Sequence, residues 1–215
     1  MVWGYERVAD YLDASLSEKL KYVPKEDIIT PKLTLAGPAI EAMRFAADDE
    51  ILRELFTNLL ASAMNRHTAQ SAHTAYVEVI KQLEPDEAKI LSFICGSNLQ
   101  MLPLITIRKK GITPEQGSFA VYMNFTNLGY LAECENPSNI RQYIDNLIRL
   151  RILEIPHGRY LLTDSLYEEL RQLSEFKHII SKIRLSGFEL EESLGYLTIT
   201  NFGEQFARVC LAFGK

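Results

Sequence analysis

From Ile51 onward, adjacent pairs of large apolar residues return every fourth position: Ile51 with Leu52, Leu55 with Phe56, Leu59 with Leu60, then Ala63 with Met64. At helical spacing these pairs form one wide stripe, which predicts a helix with a broad buried face. A polar connection through Asn65, Arg66 and Gln70 leads to a second helix, with Tyr76, Val79, Ile80 and Leu83 on one side. Upstream, Val8, Leu12, Leu16 and Leu20 align in a first helix over residues 5–22. Pro24, Pro31 and Pro38 then cut the pattern, and Gly37-Pro38 predicts a break and restart.

Further along, Glu84-Pro85-Asp86-Glu87 is a helix start: proline in the first turn lacks a donor that would be unsatisfied anyway, and the carboxylates suit the positive helix end. LPLITIRKKG, residues 102–111, is rich in β-branched residues and predicts a strand. A helix is expected over 125–134. Another follows Asn136-Pro137-Ser138, capped by Ser138 and burying Ile140, Ile144, Leu147 and Leu150. LEIP, the turn His157-Gly158-Arg159 and YLLT then suggest a tight β-hairpin. Helix, strand, helix, helix and two-stranded wing is the succession of a winged helix, from Pro85 to Thr163. Leu166, Leu170, Leu173, Phe176, Ile180 and Ile183 predict one long amphipathic helix, whose stripe could close a core or pair with a second subunit. YLTIT after Gly195 predicts a strand, and a closing helix turns Phe206, Val209 and Cys210 inward. The expected fold is mainly α with a small β component. A helical bundle over residues 1–83 is followed by a winged-helix-like α+β domain over 84–215.

The run LRELFTNLLASAM, residues 52–64, followed by His73 and YVEVIKQLEPDEAKIL, residues 76–91, resembles the signature of the abortive-infection alpha family, Abi-alpha, of bacterial phage-defence proteins. A weaker likeness continues in NLIRLRILEI, residues 146–155, and LTITNFGEQFARVC, residues 197–210, so the resemblance covers roughly 16–210. It departs at Arg151, where such proteins tend to have Gly in an RLG turn. The resemblance implies a role in defence against phage. It implies no established reaction, and it carries no catalytic residue over to this chain.

Composition narrows the field. With 215 residues and 47% hydrophobic content the chain can bury a substantial core. A net charge of -5 argues against a generic binder of nucleic acid or anionic membrane. Up to Asn136 there are 13 basic against 18 acidic residues, and beyond it 10 against 10, so a phosphate-facing surface would belong to the second part. Cys95, Cys134 and Cys210, odd in number, widely spaced and set among apolar or helix-forming neighbours, favour buried free thiols in a reducing compartment. Nowhere does the sequence offer about 18 consecutive apolar residues, and the start resembles no secretion signal. The expected location is the cytoplasm.

Two constellations could carry chemistry. Arg66-His67 followed by His73 resembles the Arg and His motif of HEPN-type ribonucleases. A histidine can move a proton near neutral pH and an arginine can stabilise a phosphoryl transition state, so Arg66 and His73 are the catalytic candidates. The plainer alternative places Arg66 and His67 in a solvated connection and His73 at a helix start. For nucleic acid, the candidates are Arg141, Gln142, Asn146, Arg149 and Arg151 on or near the recognition helix, Arg159 in the wing, and Arg108, Lys109 and Lys110 at its base. Against this, Arg141, Asp145 and Arg149 are spaced as a surface ladder in which Asp145 satisfies both arginines. Asn58, among apolar neighbours, is expected to be a buried amide bonded to backbone. Asp48, Asp49 and Glu50 are better explained by the helix dipole than as metal ligands.

Together with the resemblance, these observations predict a phage-defence protein in which no enzymatic site is identified and which acts by binding. The partner expected is a protein, a second copy included, with nucleic acid open through the winged-helix-like part. No membrane, cofactor or metal is expected. The alternatives are a winged-helix DNA-binding regulator and a ribonuclease toxin using Arg66 and His73.

Overall fold

A computed structural model describes residues 2–46, 48–97 and 101–211. Five helices come first: α1 (Tyr5–Leu20), α2 (Leu33–Met43), α3 (Glu50–Met64), α4 (Ala75–Ile80) and α5 (Pro85–Gly96). Strands β1 (Met101–Lys110) and β2 (Ser118–Phe125) lead to helices α6 (Leu128–Leu131) and α7 (Ile140–Arg149). The short strand β3 (Leu153–Glu154), helices α8 (Ser165–Arg171) and α9 (Ser174–Leu185), strand β4 (Glu189–Ile199) and helix α10 (Asn201–Cys210) complete the order. The chain is mainly α with a small β component, and it divides into two compact units, residues 1–95 with 201–215 and residues 96–200.

In the first unit α3 is the central element. Its start is fixed by Asp49, whose side chain accepts a hydrogen bond from the Leu52 backbone N–H at 2.9 Å and so satisfies one of the free donors of the first turn. Leu55, Phe56, Leu59 and Leu60 are buried, and α1, α2, α4 and α10 all pack on this helix. Contacts of α10 include polar ones: the Asn58 amide donates to the Cys210 carbonyl at 2.7 Å, and the Ser62 hydroxyl to the Val209 carbonyl at 3.3 Å. Helix α5 opens on one half of a capping box, in which the Glu87 carboxylate accepts from the Glu84 N–H at 2.9 Å. The break expected at Gly37-Pro38 does not occur, and α2 runs through Pro38. A proline ring normally strikes the Cβ of the residue before it, and Gly37 has none.

The second unit is organised by a four-stranded antiparallel sheet in the order β2-β1-β4-β3. Its longest ladder joins β1 to β4 from Met101 opposite Thr198 to Lys110 opposite Glu189. Ile105, Ile107, Phe125, Tyr167, Leu170, Phe176 and Ile183 form a buried cluster, so α8 and α9 bring their apolar residues to strands β1 and β2. The expected long helix over 166–183 is two helices, because Leu173 adopts extended backbone (φ -63°, ψ 142°) and the chain turns there. The apolar stripe closes the core of this unit.

Three further expectations change. The helix foreseen over 125–134 shrinks to α6, since Phe125 ends the unforeseen strand β2. No side-chain bond caps α7, whose start is prepared by a tight turn at Pro137–Asn139 rather than by Ser138. The hairpin of LEIP and YLLT does not form: Leu153 and Glu154 pair with Ile199 and Thr198 of β4. Residues 160–163 are outside any strand, and the Leu161 N–H bonds instead to the Tyr167 hydroxyl at 2.8 Å. The wing on which the winged-helix expectation rested is thus not present among the described residues.

Candidate interaction surfaces

The connection between α3 and α4 is laced to the segment before α2. Ile29 N–H bonds to the Met64 carbonyl at 2.8 Å and Arg66 N–H to the Asp27 carbonyl at 2.9 Å, with Ile28 bridged to Asn65. The Asp27 carboxylate lies 3.6 Å from Arg66 Nε and 3.1 Å from His67 Nε2, and Arg66 also donates to the Glu26 carbonyl at 3.1 Å. Arg66 therefore meets His67 at a shared carboxylate. His73 is occupied otherwise: its Nδ1 accepts the Ala75 N–H at 3.0 Å, a local cap at the start of α4.

On α7 the side chains divide differently from the expected ladder. The Arg141 guanidinium stands over the Tyr122 ring at 4.9 Å, and Arg149 donates to Asn146 Oδ1 at 3.0 and 2.6 Å rather than to Asp145. Gln142 is exposed on the same helix, and Arg159 is exposed at the turn after Pro156. Arg151, just past the helix, has a positive φ of 61°, with its own N–H bonded to the Ile148 carbonyl and the Ile152 N–H bonded to the Leu147 carbonyl. This is a Schellman closure, which places Arg151 where glycine is favoured.

Arg108 is drawn into the sheet. Its Nε donates to the Ser118 hydroxyl at 3.0 Å and approaches Glu191 at 3.3 Å, joining β2, β1 and β4. The hydrogen bond from Ser118 to Glu191, with the charges of Lys110 and Arg108 nearby, holds that carboxyl below its usual range. Lys109 lies over the Phe188 ring at 4.7 Å, and Lys110 is exposed.

Sequence reasoning missed a cleft of about 230 Å³ in the first unit, lined by Ala42, Phe45, Ala46, Leu52, Phe56, Ile80 and Lys81. It exists because α2 and the turn after it present alanines to the bulky stripe of α3. Lys81 is the single charged lining residue, and it pairs with Glu78 at 3.0 Å. The available signal was Ala42 and Ala46 at helical spacing ahead of the stripe. Apart from Lys81, no lining residue carries a group that could act as nucleophile or general base. Of the three thiols expected to be buried, Cys210 is buried, Cys134 half-buried and Cys95 exposed at the end of α5; burial raises the Cys210 thiol, which disfavours the reactive thiolate. Among the described residues, no three His, Cys, Asp or Glu side chains converge as metal ligands would, and no helix is long and apolar enough to cross a membrane.

No curated protein matches the chain. Among solved structures, an uncharacterised protein from the marine bacterium Alcanivorax borkumensis SK2 is similar at 20% identity and a TM-score of 0.42, over 68% of this chain and 96% of that one. The abortive infection alpha family model matches residues 4–210, which include the α3 and α4 segments that line the cleft, and the chain therefore belongs to that family.

Proposed function

We propose that the chain serves abortive infection as a binding protein, and that the cleft beside α3 and α4 seats one large apolar side chain of a protein partner, with a neighbouring carboxylate of that partner meeting Lys81. The cleft is the observation that carries this reading. At about 230 Å³ it falls below the roughly 300–1,000 Å³ of small-molecule and cofactor pockets. It matches instead the size of one anchoring residue, the kind of contact that dominates many protein interfaces. Phe45, 66% exposed at the rim, offers the apolar surround that such an anchor needs to exclude water. Charge complementarity at Lys81 selects an acidic neighbour for the anchor.

Cells expressing Ala46→Leu, which fills the cleft from a buried wall, are expected to lose protection in a phage plating assay while the purified variant keeps a thermal midpoint within a few degrees of the parent. Lys81→Glu changes an exposed position and is expected to weaken protection as well. Full protection by both folded variants sinks the proposal.

A further inference from the structure

We propose that the end of the sheet formed by the β1–β2 tip and the α9–β4 turn is a contact surface for an anionic lipid bilayer. None of its residues lines the cleft, so the inference stands on separate observations. Strand register brings the two turns to the same end, because Lys110 is opposite Ser118 on one side and Glu189 on the other. The Lys109 ammonium over the Phe188 ring joins them directly.

Three large apolar side chains are exposed at this end: Ile112 at 71%, Leu185 at 88% and Phe119 at 55%. Around them stand Lys109, Lys110, Lys182 and Arg184, with Glu115 and Glu189 as the carboxylates, so residues 109–119 and 182–190 carry four cations against two anions. The surface is locally cationic in a chain whose net charge is -5. That overall charge, which argued against a membrane partner, averages over this end.

Protruding aliphatic side chains ringed by lysine and arginine suit a fluid phase, which accepts them without a matching shape. The cations meet anionic headgroups while the aliphatics enter the acyl boundary. Shallow entry leaves the backbone satisfied at both tips. Gly111 N–H bonds to the Gly117 carbonyl at 2.9 Å, Gly187 N–H to Arg184 at 3.1 Å and Phe188 N–H to Ile183 at 3.4 Å.

The test is sedimentation of the full chain with vesicles of phosphatidylcholine alone or mixed with phosphatidylglycerol. Binding to the anionic vesicles only, weakened by salt, is expected. Lys110→Glu with Lys182→Glu should lower partitioning at least about ten-fold, each cation near such a surface contributing roughly five-fold. The double variant Ile112→Ser, Leu185→Ser leaves every charge in place and should lower it about ten-fold or more. The proposal is overturned by absence of binding, by equal binding to neutral vesicles, or by an unchanged affinity of the aliphatic double variant. Tight binding to soluble polyglutamate, unaffected by that variant, would likewise overturn it by showing plain ion pairing with an acidic polypeptide.

Discussion

The helical unit and the sheet unit hold themselves together by different means. Around α3 the buried face is a repeat of one local pattern, apolar pairs at spacing four, and α1, α2, α4 and α10 pack on this one helix. In the sheet unit the decisive partners are far apart along the chain, as when Lys110 pairs with Glu189 or the Tyr167 hydroxyl donates to the Gly195 carbonyl at 2.9 Å. Periodic burial spreads stability over many interchangeable methyl groups. Remote pairing concentrates it in particular atoms, where a small chemical change has a specific effect.

The largest expected effect sharpens this contrast from the helical side. Leu59 is fully buried at the middle of α3, and Leu59→Ala should cost about 2 to 5 kcal/mol through lost burial and the cavity left behind. Urea unfolding followed by the fluorescence of Trp3, the chain's single tryptophan, measures it within the unit that contains both residues. A loss below about 0.5 kcal/mol is the behaviour of a surface position and would contradict the packing around α3.

A smaller effect is expected from deleting one atom in the other unit. Tyr167 is buried, and its hydroxyl accepts from the Leu161 N–H at 2.8 Å while donating to the Gly195 carbonyl. It holds the stretch expected to be a wing strand onto β4. Tyr167→Phe keeps the ring and leaves two backbone groups without this partner, at an expected cost of about 1 to 3 kcal/mol. Chemical denaturation followed by circular dichroism checks it. An unchanged midpoint would mean that water serves both groups equally well.

The same contrast explains what the sequence could disclose. Helices α1, α3 and α5 were legible because their stripes and caps are local, and β1 because its β-branched run is continuous. Strand β2 was not legible: Phe119, Val121 and Met123 are exposed, so alternation does not mark a buried face, and two register irregularities interrupt its pairing with β1. Strand β4 is longer than its β-branched end suggests, because Glu189, Glu191 and Glu192 belong to it through pairing with β1. At the candidate sites, spacing grouped Arg66 with His73, whereas Asp27, from a segment nearly forty residues earlier, groups Arg66 with His67. The cleft depends on which residues are small as much as on which are apolar, and hydropathy does not distinguish these.

The smallest effect has the opposite sign, and it falls on Arg151, a side chain held where glycine is favoured. Helices α7 and α9 close with the same pair of backbone hydrogen bonds, yet the left-handed position is Arg151 at φ 61° in one and Gly187 at φ 78° in the other. A side chain in that conformation crowds its own backbone at a cost of about 1 to 2 kcal/mol. Glycine removes the crowding but gives the unfolded chain more freedom, which returns roughly 0.4 to 1 kcal/mol. Arg151→Gly should therefore stabilise the protein by up to about 1.5 kcal/mol. The reciprocal change, Gly187→Arg, should destabilise it by a similar amount, since a Cβ there meets no atom within 4 Å and backbone conformation alone is at stake. Paired urea titrations of the two variants measure both signs. If Arg151→Gly lowers stability while Gly187→Arg also does, the Arg151 side chain makes a contact that outweighs its backbone strain, and the turn is retained for that contact.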